Sequence, residues 1–131
     1  MIKFFSNYKI IFKTLNFFLI FLYLFPGSLL GWIFYGDKRI QPKITVDLFL
    51  SSNHFYLFIF ISIIGFLTFT KKKQINYLVI YLILLSIILE LFNLILPERS
   101  FEWPDLFGNL FGVIIVILIK NLINKYGVFK K

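Results

Sequence analysis

Six polar residues placed near the ends of apolar stretches are the candidates for chemistry in this chain: His54, Glu90, Asn93, Arg99, Asp105 and Asn109. Glu90 precedes Pro97 by two helical turns, which at about 1.5 Å per residue sets it on the order of 10 Å inside the end of an apolar helix. An ionisable group at that depth is costly, so it must face other protein and be either protonated or partnered. Asn93, at i+3 on the same face, and Arg99, just past the helix end, are the local partners. Glu90 is then either a hydrogen-bonded residue that pins helix packing or a working carboxylate, for instance a general base.

Pro104-Asp105 ahead of Leu106 reads as a helix start, with Asp105 expected at the N-cap and Asn109 one turn further in on the same side. Ser51-Ser52-Asn53 offers a second N-cap group, and His54 opens the helix that follows. Both sets have a structural reading, as caps and interhelical hydrogen bonds, and a functional one. Two helices starting at one face would aim their positive dipole ends at it, and with Arg99 and His54 nearby they would form an anion site. Gly108 and Gly112 have the G-x-x-x-G spacing that permits close helix packing. The chain has no Cys, a single His and six acidic residues, which excludes disulfides and argues against a dedicated zinc or iron cage. No cofactor is expected, and no Ser-His-acid spacing is present.

The elements that must position these residues are membrane spans. At 131 residues, 60% apolar and 21% aromatic, with mean hydropathy +0.88, the chain has too little polar surface to coat a water-soluble globule. Four apolar stretches, over 10–35, 54–70, 75–96 and 106–123, are each comparable to the roughly 20 residues that cross the hydrocarbon core. The fold class expected is all-α: a polytopic membrane protein with one domain of four antiparallel transmembrane helices. Pro26-Gly27-Ser28 predicts a kink or helix end inside the first stretch. The basic start of that stretch resembles a secretory signal, but its length, the lack of a small-x-small cleavage site and the spans that follow fit an uncleaved anchor.

Charge sorts by loop. Ten of the 14 Lys and Arg residues lie in the N-terminal segment, the Lys71-Lys72-Lys73 turn and the C-terminal segment, against four in the other two loops. Asp37, Asp47, Glu98, Glu102 and Asp105 all lie in those other loops. The excess of basic residues on cytoplasmic loops places both termini inside. The net charge of +8 is thus spent between apolar segments and does not form a soluble nucleic-acid face. Trp32, Tyr35 and Trp103 fit an aromatic belt at the outer surface.

Glu90-Leu-Phe-Asn93, then Leu96-Pro97-Glu98-Arg99-Ser100-Phe101-Glu102, then Pro104-Asp105-Leu-Phe-Gly108-Asn109-Leu-Phe-Gly112 together resemble the signature of VanZ-like membrane proteins. In that family a Glu followed by a Gln precedes Pro-x-Arg-x-x and an Asp-x-x-x-Asn-x-x-Gly helix. Leu22 to Ser28 and Ser52-Asn53-His54 resemble its earlier parts, so the resemblance spans about residues 17–118. Asn93 stands where the family commonly has Gln, and Leu50-Ser51 where it has Asp-Lys, with Asp47 a substitute two turns before His54. The resemblance implies a cell-envelope membrane protein with a link to glycopeptide resistance, and it names no reaction. It places the family's polar residues on His54, Glu90, Asn93, Arg99, Asp105, Asn109 and Gly112. Three functions are expected from this: binding an anionic envelope lipid or lipid-linked cell-wall intermediate, an intramembrane hydrolase or transferase, or an accessory subunit bound to a membrane-protein partner.

Overall fold

A computed structural model describes residues 2–127 of the chain. Among these the secondary structure is helical throughout: α1 (Ile2–Leu24), α2 (Leu29–Tyr35), α3 (Ser52–Thr68), α4 (Lys72–Phe92) and α5 (Trp103–Tyr126). Three helices are long and apolar enough to cross a membrane: α1 over Asn7–Leu24, α4 and α5. The fourth apolar helix, α3, has 17 residues. Lys130 and Lys131, two of the charges used above for orientation, lie outside the described residues.

The stretch expected at 10–35 is two helices. Pro26 cannot extend the hydrogen-bond ladder of α1, and Gly27 takes a left-handed φ of 81° that turns the chain away. Helix α2 restarts after Ser28, whose Oγ accepts a 3.0 Å hydrogen bond from the Gly31 N–H. It stops at Gly36, which is also left-handed (φ 67°). Residues 37–40 then fold back, and the Ser28 N–H donates to the Lys38 carbonyl at 2.7 Å. The remaining boundaries move by a few residues. Helix α4 ends at Phe92, five residues short of Pro97, and α5 begins at Trp103.

That start corrects the capping assignment. Glu102 holds the N-cap position of α5 and Asp105 lies inside its first turn, where it complements the helix dipole without capping it. Ser51 holds the N-cap position of α3, but its side chain makes no cap bond. Asp47 supplies it instead, accepting from the Ser52 N–H at 2.9 Å while its other oxygen pairs with Lys43 Nζ at 2.6 Å. Partial burial pushes the Asp47 carboxyl up, but the hydrogen bonds from Lys43 and Ser52 outweigh it and hold the group below its ordinary value.

The four long helices alternate in direction along the chain. Tyr23 near the end of α1 meets His54 at the start of α3, and the Tyr8 carbonyl at the other end of α1 accepts from Thr68 Oγ1 at the end of α3. In space, α3 and α5 are neighbours that run parallel: the Ser51 N–H donates to the Pro104 carbonyl at 2.9 Å, and α3 packs more extensively on α5 than on any other helix. Gly108 and Gly112 make this possible. A Cβ on Gly108 would lie 2.7 Å from the Ser51 carbonyl oxygen, and one on Gly112 would lie 2.7 Å from that of Phe55. Both obstacles are backbone, so neither can rotate aside.

The bundle buries many polar side chains among its apolar core and exposes many large apolar ones. Phe58, Ile61, Leu82 and Val113 share the buried centre with Ser62, Ser86, Glu90 and Asn109, whereas Phe17, Phe18, Ile80, Leu84, Leu118 and Ile119 point outward. A soluble bundle has the reverse arrangement. These outward faces are the surface of a membrane-embedded protein, whose helices gain little from burying Leu against Leu and associate through small residues and hydrogen bonds. Gly112→Ala is accordingly expected to destabilise the fold by about 1–3 kcal/mol, the usual range for overpacking, seen as a lower thermal midpoint of the detergent-solubilised protein.

Candidate functional site

All six candidate residues gather at one end of the bundle, where α1 and α4 finish and α3 and α5 begin. The centre is the Asn109 side chain, which is fully buried. Its Nδ2 donates to the Ser86 carbonyl of α4 at 3.1 Å, which fixes the amide so that Oδ1 can only accept. Oδ1 takes the Tyr23 O–H of α1 at 2.5 Å and lies 3.1 Å from His54 Nδ1 of α3. Tyr23 Oη is 2.8 Å from the same ring nitrogen. With its one proton on Asn109, the tyrosine oxygen receives a hydrogen bond from His54, so this network assigns the His54 proton to Nδ1.

In the neutral ring the other nitrogen, Nε2, then presents a lone pair. It faces Asp105 Oδ2 at 3.5 Å. Ligand-type atoms of His54, Glu90 and Asp105 all lie within 4.8 Å of one another. Glu90 is completely buried, and its Oε1 accepts from Asn93 Nδ2 and from the Glu102 N–H, both at 3.1 Å. Of the two partners expected for Glu90, Asn93 makes the contact. Glu90 Oε2 and Asn93 Oδ1 are buried oxygens without a hydrogen-bond partner.

Arg99 turns to α1. Its Nε donates to the Phe25 carbonyl and its Nη2 to the Leu22 carbonyl, each at 2.8 Å, so it closes carbonyls at the open C-terminal end of that helix. Burial pushes the guanidinium pKa down from its usual value, while nearby Tyr23, Glu90 and Asp105 oppose the shift.

Two cavities meet at this end. A cavity of about 440 Å³ is walled largely by apolar side chains, among them Leu22, Leu29, Leu30, Ile44, Leu57 and Phe60, with His54 and Tyr23 at its inner end. A smaller one of about 170 Å³ is lined by Lys38, Arg39, Asn93, Glu98, Glu102 and Asp105. Ser28, Gln41 and Arg99 belong to both walls. Residues 41–44 line the larger cavity, and this stretch is tied to α3, with Asn53 Oδ1 accepting from the Ile44 N–H at 2.8 Å and Ser52 Oγ donating to the Thr45 carbonyl at 2.7 Å.

Tyr23 and Ser86 are the participants that sequence reasoning misses. Tyr23 lies in a run of aromatic and aliphatic residues that reads as lipid-facing, and Ser86 contributes only a backbone carbonyl. Comparison with protein-family models, with curated proteins and with solved structures finds no match to this chain. Tyr23→Phe would leave His54 Nδ1 without its closest partner and free Asn109 Oδ1 of its shortest hydrogen bond. The expected loss is about 1–3 kcal/mol, measurable by thermal unfolding in detergent, with Tyr35→Phe, exposed on α2, unchanged.

Proposed function

We propose that this is a four-span, VanZ-like protein of the bacterial cytoplasmic membrane that binds an anionic envelope lipid or a lipid-linked cell-wall intermediate at its outer face. The carrying observation is that a large apolar cavity and a small polar one share a wall at Arg99, Gln41 and Ser28. That pairing suits an amphiphile, with a hydrocarbon chain beside Leu30 and Phe60 and an anionic head group beside Lys38, Arg39 and the outward edge of Arg99. The spacing of Glu90, Arg99, Asp105 and Asn109 supplies the family reading and, with it, the link to glycopeptide resistance.

Helix α3 acts as the fourth span in this reading. Its 17 residues reach about 25 Å, short of the roughly 30 Å hydrocarbon core, and local thinning of the bilayer accommodates the difference. Lys9, Lys13, Lys71, Lys72, Lys73 and Lys125 cluster at the end away from the cavities, which supports cytoplasmic termini. The hydrolase reading has less support, because Glu90 Oε1 already accepts two hydrogen bonds in the manner of a structural carboxylate. An accessory role beside a membrane-protein partner draws on nothing beyond the apolar exterior.

Two measurements test the proposal. Single cysteines at Ser100 and Lys72, in a chain without native Cys, should label with a membrane-impermeant reagent in intact cells at Ser100 only. Labelling at Lys72 instead would invert the protein and remove the outer-leaflet reading. Mass spectrometry of lipid that copurifies with the protein should show an anionic species reduced severalfold by Leu30→Trp, which fills the apolar cavity, and by Lys38→Glu/Arg39→Glu. Unchanged lipid in both variants would refute lipid binding at this place.

A further inference from the structure

We infer that His54, Glu90 and Asp105 form a binding site for one divalent first-row transition-metal ion, held by an imidazole nitrogen and two carboxylate oxygens. Three independent observations converge on it. The first is geometric: His54 Nε2 and Asp105 Oδ2 are 3.5 Å apart, close to the edge of about 3.4 Å that a tetrahedron with 2.1 Å metal–ligand bonds would have. The third ligand atom, a Glu90 carboxyl oxygen, lies within 4.8 Å of the other two.

The second observation is the hydrogen-bond count. Because Asn109 must accept from Tyr23, and Tyr23 must then accept from His54 Nδ1–H, the neutral imidazole turns its Nε2 lone pair toward Asp105. With the imidazole neutral and both carboxyl groups ionised, three acceptor groups converge on one place, an arrangement that a cation stabilises. The third is that Glu90 Oε2 is completely buried and without a partner, although Oε1 of the same group has two. A buried carboxylate oxygen without a hydrogen-bond partner, on a residue that belongs to the cluster, is a free acceptor that a bound cation would satisfy.

The surroundings have the form of an outer shell. A metal-binding histidine ordinarily fixes its tautomer by donating from the other ring nitrogen, as His54 does to Tyr23, and ligating carboxylates are themselves hydrogen-bonded, as Glu90 is by Asn93 and the Glu102 N–H. One nitrogen and two oxygens suit Zn²⁺ or Mn²⁺, with remaining positions open toward the small polar cavity that Asp105 lines. The metal proposal stands independently of the lipid reading.

The test uses the full chain in mild detergent, stripped with a chelator and then equilibrated with Zn²⁺ or Mn²⁺ alone, with bound metal counted by inductively coupled plasma mass spectrometry. One equivalent per chain is expected, with a raised thermal midpoint. Affinity should fall at least tenfold in Asp105→Asn and in Glu90→Gln and stay unchanged in Asp37→Asn, an exposed acid outside the cluster. A visible spectrum of the Co²⁺-loaded wild type, with ligand-field bands lost in Asp105→Asn, reads the same site without relying on stability. Substoichiometric binding by the wild type, or a full equivalent retained by both cluster variants, would overturn the proposal and leave a shared proton as the occupant of the gap.

Discussion

One carboxamide holds the four long helices together. Asn109 on α5 reaches α4 through the Ser86 carbonyl, α1 through the Tyr23 hydroxyl and α3 through His54. In an apolar interior such bonds cannot be exchanged for bonds to water, so a misplaced helix leaves polar groups unsatisfied, and that cost selects one arrangement. Tyr23 packs its ring edge-on to His54 and Phe58, so the same side chain joins the polar network to the apolar core. The direction of each helix and the tautomer of the histidine follow from this arrangement.

The network can form only because α3 and α5 come close. Gly108 and Gly112 remove two side chains from the contact, and the backbone of α3 at Ser51 and Phe55 occupies the space. That approach aligns the N-termini of two parallel helices and brings His54 beside Asp105. Small residues and buried polar groups thus act as a pair: the glycines set the distance and the asparagine sets the rotation.

Much of this was legible in the sequence because depth in a bilayer is encoded by position. The location of Glu90 before Pro97 required a partner, and Asn93 at i+3 provides it. Loop parity of charge gathered the candidates at one end, and the G-x-x-x-G spacing lies at a close helix contact. Three things were not legible. Pro26 could mean a kink or a stop, and only Gly27 and the folding back of residues 37–40 make it a stop. Asp105 has a side chain and position suited to capping, yet the helix begins one residue before Pro104, because proline is well tolerated in the first turn. Counting ligand types across the chain gives one His and few acids and does not show where they meet, whereas tertiary structure brings His54, Glu90 and Asp105 together from three helices.

Arg99 is at once a wall of both cavities and a clasp on α1. Any outward swing of segment 93–102 that widens the polar cavity must release the Phe25 and Leu22 carbonyls, and swinging Glu102 away also breaks its bond to Glu90. Segment 93–102 is therefore held by charge-assisted bonds at one point and by a buried carboxyl group at the other. Widening that cavity is thus coupled to unclasping the end of α1, so its cost is that of unfastening a helix end rather than of moving a free loop.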